Sequence, residues 1–77
     1  MEYDVRRPED LGRVIADRRR SLGMNQDSLA VESGISRDYL SKLERGRSSL
    51  VTNHVFRILR RMGATITISF DSENDGG

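Results

Sequence analysis

The stretch from Asn25 to Gly46, NQDSLAVESGISRDYLSKLERG, leaves this chain fewer options than any other, because it carries two helix starts and two helix stops in quick succession. Asn25 is a residue whose side-chain oxygen can accept from the free N–H groups of a first helical turn, and Leu29, Ala30 and Val31 give the segment after it an apolar side. Gly34 can take the left-handed conformation that ends a helix, Ile35 can turn inward, and Ser36 restarts the chain as a second N-cap. Gly46 ends the second segment in the same way. The pattern predicts two short helices joined by one tight turn.

The second of these helices can be resolved face by face, since each residue advances about 100° around the axis. Tyr39, Leu40 and Leu43 fall on one side. Arg37, Asp38, Ser41, Lys42 and Arg45 share an arc on the other, so the outward face carries only groups that donate or accept hydrogen bonds. Such a face could be merely solvated, or it could read base edges. A serine-capped, leucine-packed helix set after a short glycine turn is the helix-turn-helix arrangement, whose second helix enters the DNA major groove.

These residues also carry a family resemblance. Asn25-Gln26 with Leu29-Ala30, Gly34-Ile35-Ser36, Leu40-Ser41 and Leu43-Glu44-Arg45-Gly46 closely resemble the phage repressor and Cro-like helix-turn-helix domains, over roughly Leu11 to Met62. The resemblance implies a mostly α fold, a four- to five-helix lambda-repressor-like DNA-binding domain. It also implies a partly buried pair between Arg19 and Glu44, a phosphate-anchoring role for Gln26, and a backbone clamp made by Arg45, Arg47 and the Ser48 hydroxyl.

Composition narrows the rest. A chain of 77 residues makes at most one domain and is near the lower limit at which a hydrophobic core stabilises a monomer, so dimerisation would help it. With no cysteine there is neither a disulfide framework nor a thiolate metal site, and the single histidine, His54, cannot build a zinc site. No apolar run approaches the roughly 20 residues of a membrane helix, and MEYDVRRPED is too charged for a signal peptide, which predicts a protein that stays in the cytoplasm. The formal net charge of +1 conceals asymmetry: residues 1–11 hold two arginines against four acids, residues 63–77 hold three acids and no base, and the part between carries +6. A basic centre facing a polyanion, with acidic ends held away, fits that distribution.

Along the chain, residues 1–8 lack periodicity and read as an N-terminal arm whose Arg6 and Arg7 could reach phosphate. Pro8, Glu9 and Asp10 suit a helix entry, and a first helix from Glu9 to Leu22 would turn Leu11, Val14, Ile15 and Leu22 inward. Ser49 can cap a fourth helix whose apolar face would be Leu50, Val51, Val55, Ile58, Leu59 and Met62, closing the domain over residues 9–62. Arg57, Arg60 and Arg61 would project from it, to be solvated or to meet DNA or an acidic partner. From Ala64 to Phe70 the period changes to two: Ala64, Ile66, Ile68 and Phe70 alternate with Thr65, Thr67 and Ser69. Nothing else in the chain reads as a strand, so the economical partner is a second copy, paired antiparallel across a two-fold axis with Ile66, Ile68 and Phe70 at the dimer interface, buried on the helices. The acidic tail, 71–77, reads as disordered.

A helix-turn-helix domain followed by a fourth helix and one strand resembles the HipB-type antitoxins, which dimerise through that strand, repress their own operon and bind a kinase-fold HipA-type toxin. The tail DSENDGG departs from that pattern by lacking an aromatic ending. The resemblance implies a homodimeric repressor of double-stranded operator DNA with inverted repeats. On that reading Ser36, Arg37, Asp38, Ser41 and Lys42 would face base edges, with Arg37 or Lys42 suited to guanine and Asp38 to cytosine. Asn25, Gln26, Arg45, Arg47 and Ser48 would sit on phosphate. Two rivals remain: a toxin-neutralising interaction module for which DNA is secondary, and a stand-alone phage-type regulator without a protein partner. No nucleophile and base occur at motif spacing, and there is no glycine-rich phosphate loop or metal cluster in the sequence, so neither an enzyme nor a cofactor is expected.

Overall fold

The computed structural model describes residues 1–47 and 49–71. In chain order its elements are β1 (Glu2–Val5), α1 (Pro8–Ser21), α2 (Gln26–Ser33), α3 (Arg37–Glu44), α4 (Leu50–Arg61) and β2 (Ile66–Ser69). The mostly helical fold is the one expected from the sequence, with four helices and one small sheet.

Each helix start is fixed by a local acceptor. Asn25 Oδ1 takes the Ser28 N–H at 2.8 Å, Ser36 Oγ takes the Tyr39 N–H at 3.1 Å, and Ser49 Oγ takes the Thr52 N–H at 3.1 Å. At α1 the acceptor lies inside the helix: the Asp10 carboxylate receives the N–H groups of Arg6 at 2.8 Å and Arg7 at 3.1 Å. Pro8, which has no N–H to satisfy, occupies the first turn. Gly34 ends α2 at φ 73°, where a Cβ would be strained, and thereby turns the chain sharply into α3.

The N-terminal residues are not an arm. Glu2–Val5 pairs antiparallel with Ile66–Ser69, in the register Glu2↔Ser69, Tyr3↔Ile68, Asp4↔Thr67, Val5↔Ile66. The expectation that β2 lacks a partner within its own chain is therefore corrected. Phe70 N–H donates to Met1 O at 2.9 Å, so with ladder bonds alternating, residues 66, 68 and 70 bond to β1 while Thr67 and Ser69 direct their backbone groups to an open outer edge.

The sheet covers α1 and α4. Val5, Val14 and Phe56 form the buried centre, with Tyr3, Leu11, Ile66, Ile68 and Phe70 packed around it. Phe70 meets Tyr3 edge-to-face at 5.8 Å between ring centres, and the Arg18 guanidinium lies 4.7 Å above its ring. Ala16 of α1, Ala30 of α2 and Leu40 of α3 are buried as well. Two apolar expectations are corrected here. Leu22 and Tyr39 are exposed, and α4 buries Phe56, with Leu59 half-buried, while Leu50, Val51, Val55, Ile58 and Met62 face outward. An aromatic ring removes more apolar area from water than a valine or isoleucine, which favours the Phe56 side as the inner face.

Candidate nucleic-acid interface

The second helix of the motif, α3, is held from beneath. Leu40 is buried, and Gly12 of α1 lets the two helices cross so closely that a Cβ there would clash with the Leu43 carbonyl oxygen and lie 3.0 Å from that of Glu44. The C-terminal end of α3 is tied to α1 and α2 by one carboxylate. Glu44 accepts from Arg19 Nε at 2.7 Å, Arg19 Nη2 at 3.0 Å and Gln26 Nε2 at 3.0 Å, and Arg19 Nη1 donates to the Met24 carbonyl at 2.9 Å. The pair is nearly enclosed, with side-chain exposures of 11% for Arg19 and 5% for Glu44. The bidentate bond from Arg19 holds the Glu44 carboxyl below its ordinary pKa against the opposing effect of burial, and the same bond raises that of Arg19. Arg19 and Glu44, far apart in sequence, are thus brought together, and Gln26 joins them.

Above this anchorage α3 presents Arg37, Asp38 and Lys42 to solvent, with Ser41 half-buried among them and Arg45 exposed at its C-cap. Arg37 stands at the edge nearest α2, its Nε 3.6 Å from Asp27 Oδ1 in an exposed pair. The Ser36 oxygen serves as cap acceptor, which leaves its hydroxyl proton able to donate outward. Asn25 and Arg47 are exposed at the two ends of the same surface, whereas the Gln26 amide is turned to Glu44. Ser48 lies outside the described residues. Ile66, Ile68 and Phe70 are placed on the inner face of the sheet, against this chain's own core.

One contributor escaped the sequence reading. Tyr39 borders Lys42, Arg47, Ser49 and Thr52 around a recess of about 350 Å³ floored by Leu11, Gly12, Ile15 and Leu43. The helical wheel puts it on the apolar side with Leu40 and Leu43, but it sits roughly 60° around the helix from Lys42, at the edge of that side, and is exposed. Among the described residues no group of three or more His, Cys, Asp or Glu side chains could hold a metal ion, and no helix is long and apolar enough to cross a membrane.

Over 67 residues the chain is 40% identical to the HTH-type transcriptional regulator SlrR of Bacillus subtilis (strain 168), a match that takes in 82% of this chain and 42% of that protein. The chain therefore spans less than half the length of this relative. No solved structure matches it. The Helix-turn-helix family model matches residues 15–68, from within α1 through β2, and with α2, the Gly34 turn and α3 arranged as described, the chain belongs to the helix-turn-helix family.

Proposed function

We propose that this protein is a sequence-specific transcriptional repressor that binds double-stranded operator DNA as a homodimer, in the cytoplasm of a prokaryote. The observation that carries the proposal is the division of α3 into an inner side fixed by Leu40 and the Glu44 anchorage and an outer side of exposed Arg37, Asp38, Lys42 and Arg45. On this reading Arg37 or Lys42 pairs with guanine O6 and N7, Asp38 accepts from cytosine N4, and Ser36 and Ser41 complete the base-facing set. Asn25, Gln26, Arg45, Arg47 and Ser48 set position on the phosphates. Gln26 does so through the α2 N-terminus, since its amide is engaged by Glu44. Two copies would read inverted half-sites about one helical turn, or a multiple of it, apart.

Titrating two variants on the cognate operator and on unrelated duplexes at several salt concentrations tests the assignment. Arg37→Ala should lose discrimination at one base pair per half-site by about 1–3 kcal/mol, while Arg47→Ala should weaken every sequence alike and lower the salt slope by about one. Equal losses from both variants on every sequence would defeat it.

At a finer level, the repressor acts as an antitoxin that controls its own operon and neutralises a HipA-like kinase. The support is the order of elements, a fourth helix followed directly by an edge strand, which is that of the HipB-type antitoxins. Co-expression with a HipA-like kinase from the same operon, followed by co-purification at high salt, tests this; no such neighbour, or no complex, would leave a stand-alone regulator.

A further inference from the structure

The outer side of α4 has no counterpart among the described residues. Val51, Val55, Ile58 and Met62 are 46–71% exposed, and their spacing of four, three and four residues confines them to an arc of about 60° on the helix. An amphipathic helix that merely covers a core has a wider stripe, and in α4 that duty already belongs to Phe56, about 130° around from the centre of the seam, with Leu59 on the flank between them. A narrow seam at this spacing is the geometry with which one helix accepts another.

The seam also indicates its occupant. Its spacing is symmetric about the midpoint between Val55 and Ile58, so a second α4 laid antiparallel across it sets Val51 against Met62 and Val55 against Ile58, in both directions at once. That self-complementarity is what a two-fold contact requires. Charge agrees on the direction: α4 carries Arg57, Arg60 and Arg61 and no carboxylate. A parallel pairing would set Arg60 and Arg61 level with their own copies, whereas the antiparallel one sends them to opposite ends; Arg57, next to the midpoint, points about 130° away from the seam. The chain also has reason to associate, for among the described residues no large side chain is fully buried. We infer that α4 docks on the α4 of a second copy of this chain, antiparallel and centred between Val55 and Ile58. The inference rests on the homodimer proposed above and assigns its surface to α4 rather than to the outer edge of β2, whose inner edge β1 already occupies.

Sedimentation of the full chain, with variants on each candidate surface, separates the possibilities. The parent should sediment at twice the 8.7 kDa chain mass. Ile58→Glu should self-associate at least about a hundredfold more weakly, because it places unpaired carboxylates in an apolar contact, and its unchanged helical circular dichroism should show that the fold survives. Thr67→Pro removes an outward N–H from β2 while sparing the bonds to β1, and should remain dimeric. A dimeric Ile58→Glu beside a monomeric Thr67→Pro would overturn the α4 assignment and leave the homodimer standing. A parent that stays monomeric at every concentration would overturn both.

Because the chain has no cysteine, direction can be read separately. Val51→Cys combined with Met62→Cys should give a covalent dimer on oxidation. Val51→Cys alone should not, since the two copies of that position would lie roughly 16 Å apart along the antiparallel pair. Crosslinking by the single variant would overturn the antiparallel arrangement.

Discussion

Arg19→Met isolates the anchorage of α3. The variant keeps the length and apolar stem of the side chain but removes three donated hydrogen bonds, two to Glu44 and one to the Met24 carbonyl. Glu44, 5% exposed, would then hold its charge with only the Gln26 amide as partner. Breaking one side of such a buried pair costs about 3–5 kcal/mol. For a chain of 77 residues, whose total stability is on the order of 4–12 kcal/mol, that is a large fraction of what there is. Thermal unfolding followed by circular dichroism should show a fall of about 12 °C or more, each kcal/mol being worth roughly 4–8 °C in a domain of this size. The double variant Arg19→Met with Glu44→Leu removes the stranded charge and should recover much of the loss. Acid provides an independent reading. Since the folded pKa of Glu44 is depressed, its contribution is fully present above the ordinary value of 4.5 and is lost as pH falls through the lower folded value. That acid sensitivity should shrink in both variants. An Arg19→Met protein that melts within about 2 °C of the parent, with the same acid profile, would refute the reasoning.

Other parts of the fold give sharper contrasts. Gly12→Ala drives a methyl group into the Leu43 and Glu44 carbonyls, which are backbone and cannot swing aside; it should cost at least about 1–3 kcal/mol in a melt and displace α3 enough to weaken binding to every operator. Phe56→Ala empties the centre of the core and should cost about 3–5 kcal/mol by denaturant titration, while Val31→Ala, at 79% exposure, should stay within about 0.5 kcal/mol. Asp10→Ala removes the acceptor for the Arg6 and Arg7 N–H groups and should cost about 0.5–2 kcal/mol near neutral pH. The Arg6 N–H bond is the chief cause holding Asp10 below its usual pKa, so its contribution too is lost on acidification, and the gap between this variant and the parent should close as pH falls below the ordinary aspartate range.

The helix-turn-helix was legible because its determinants are local. Asn25 caps three residues ahead, Ser36 does the same, and Gly34 needs only its own backbone to turn the chain. The strand β1 was not legible because EYDV has only Tyr3 and Val5 to set against its two acids and becomes a strand only by meeting Ile66–Ser69, more than sixty positions away. The alternation in ITIS identified β2, but periodicity names a face and never the neighbour that covers it. Helix α4 shows a different limit. Its apolar residues run around the helix from the Val51 to Met62 seam through Leu59 to Phe56, and one sequence cannot rank the two ends of that arc as the inner face until the rest of the core has a shape. The Arg18 guanidinium on Phe70 likewise exists only through the tertiary fold, since nothing in an arginine-rich helix end indicates which ring it will meet.

The two sides of α3 differ in kind, and the difference bears on how it could read DNA. Every strong constraint falls on its inner side: Leu40 in the core, Glu44 gripped by Arg19 and Gln26, and the backbone carbonyls pressed on Gly12. On the outer side the one ion pair among the described residues, Arg37 with Asp27 at 3.6 Å, joins groups that are 64% and 73% exposed, a contact worth at most about 1 kcal/mol. Arg37 can exchange Asp27 for a guanine at small cost, while the backbone that aims it has little freedom to follow. Loosening the inner side, as Arg19→Met or Gly12→Ala does, should therefore blur discrimination at all the contacted base pairs together. Trimming one outer side chain should erase it at a single pair. Were Arg19→Met to reduce affinity while leaving every base preference intact, α3 would be reading its site without the help of its own anchorage.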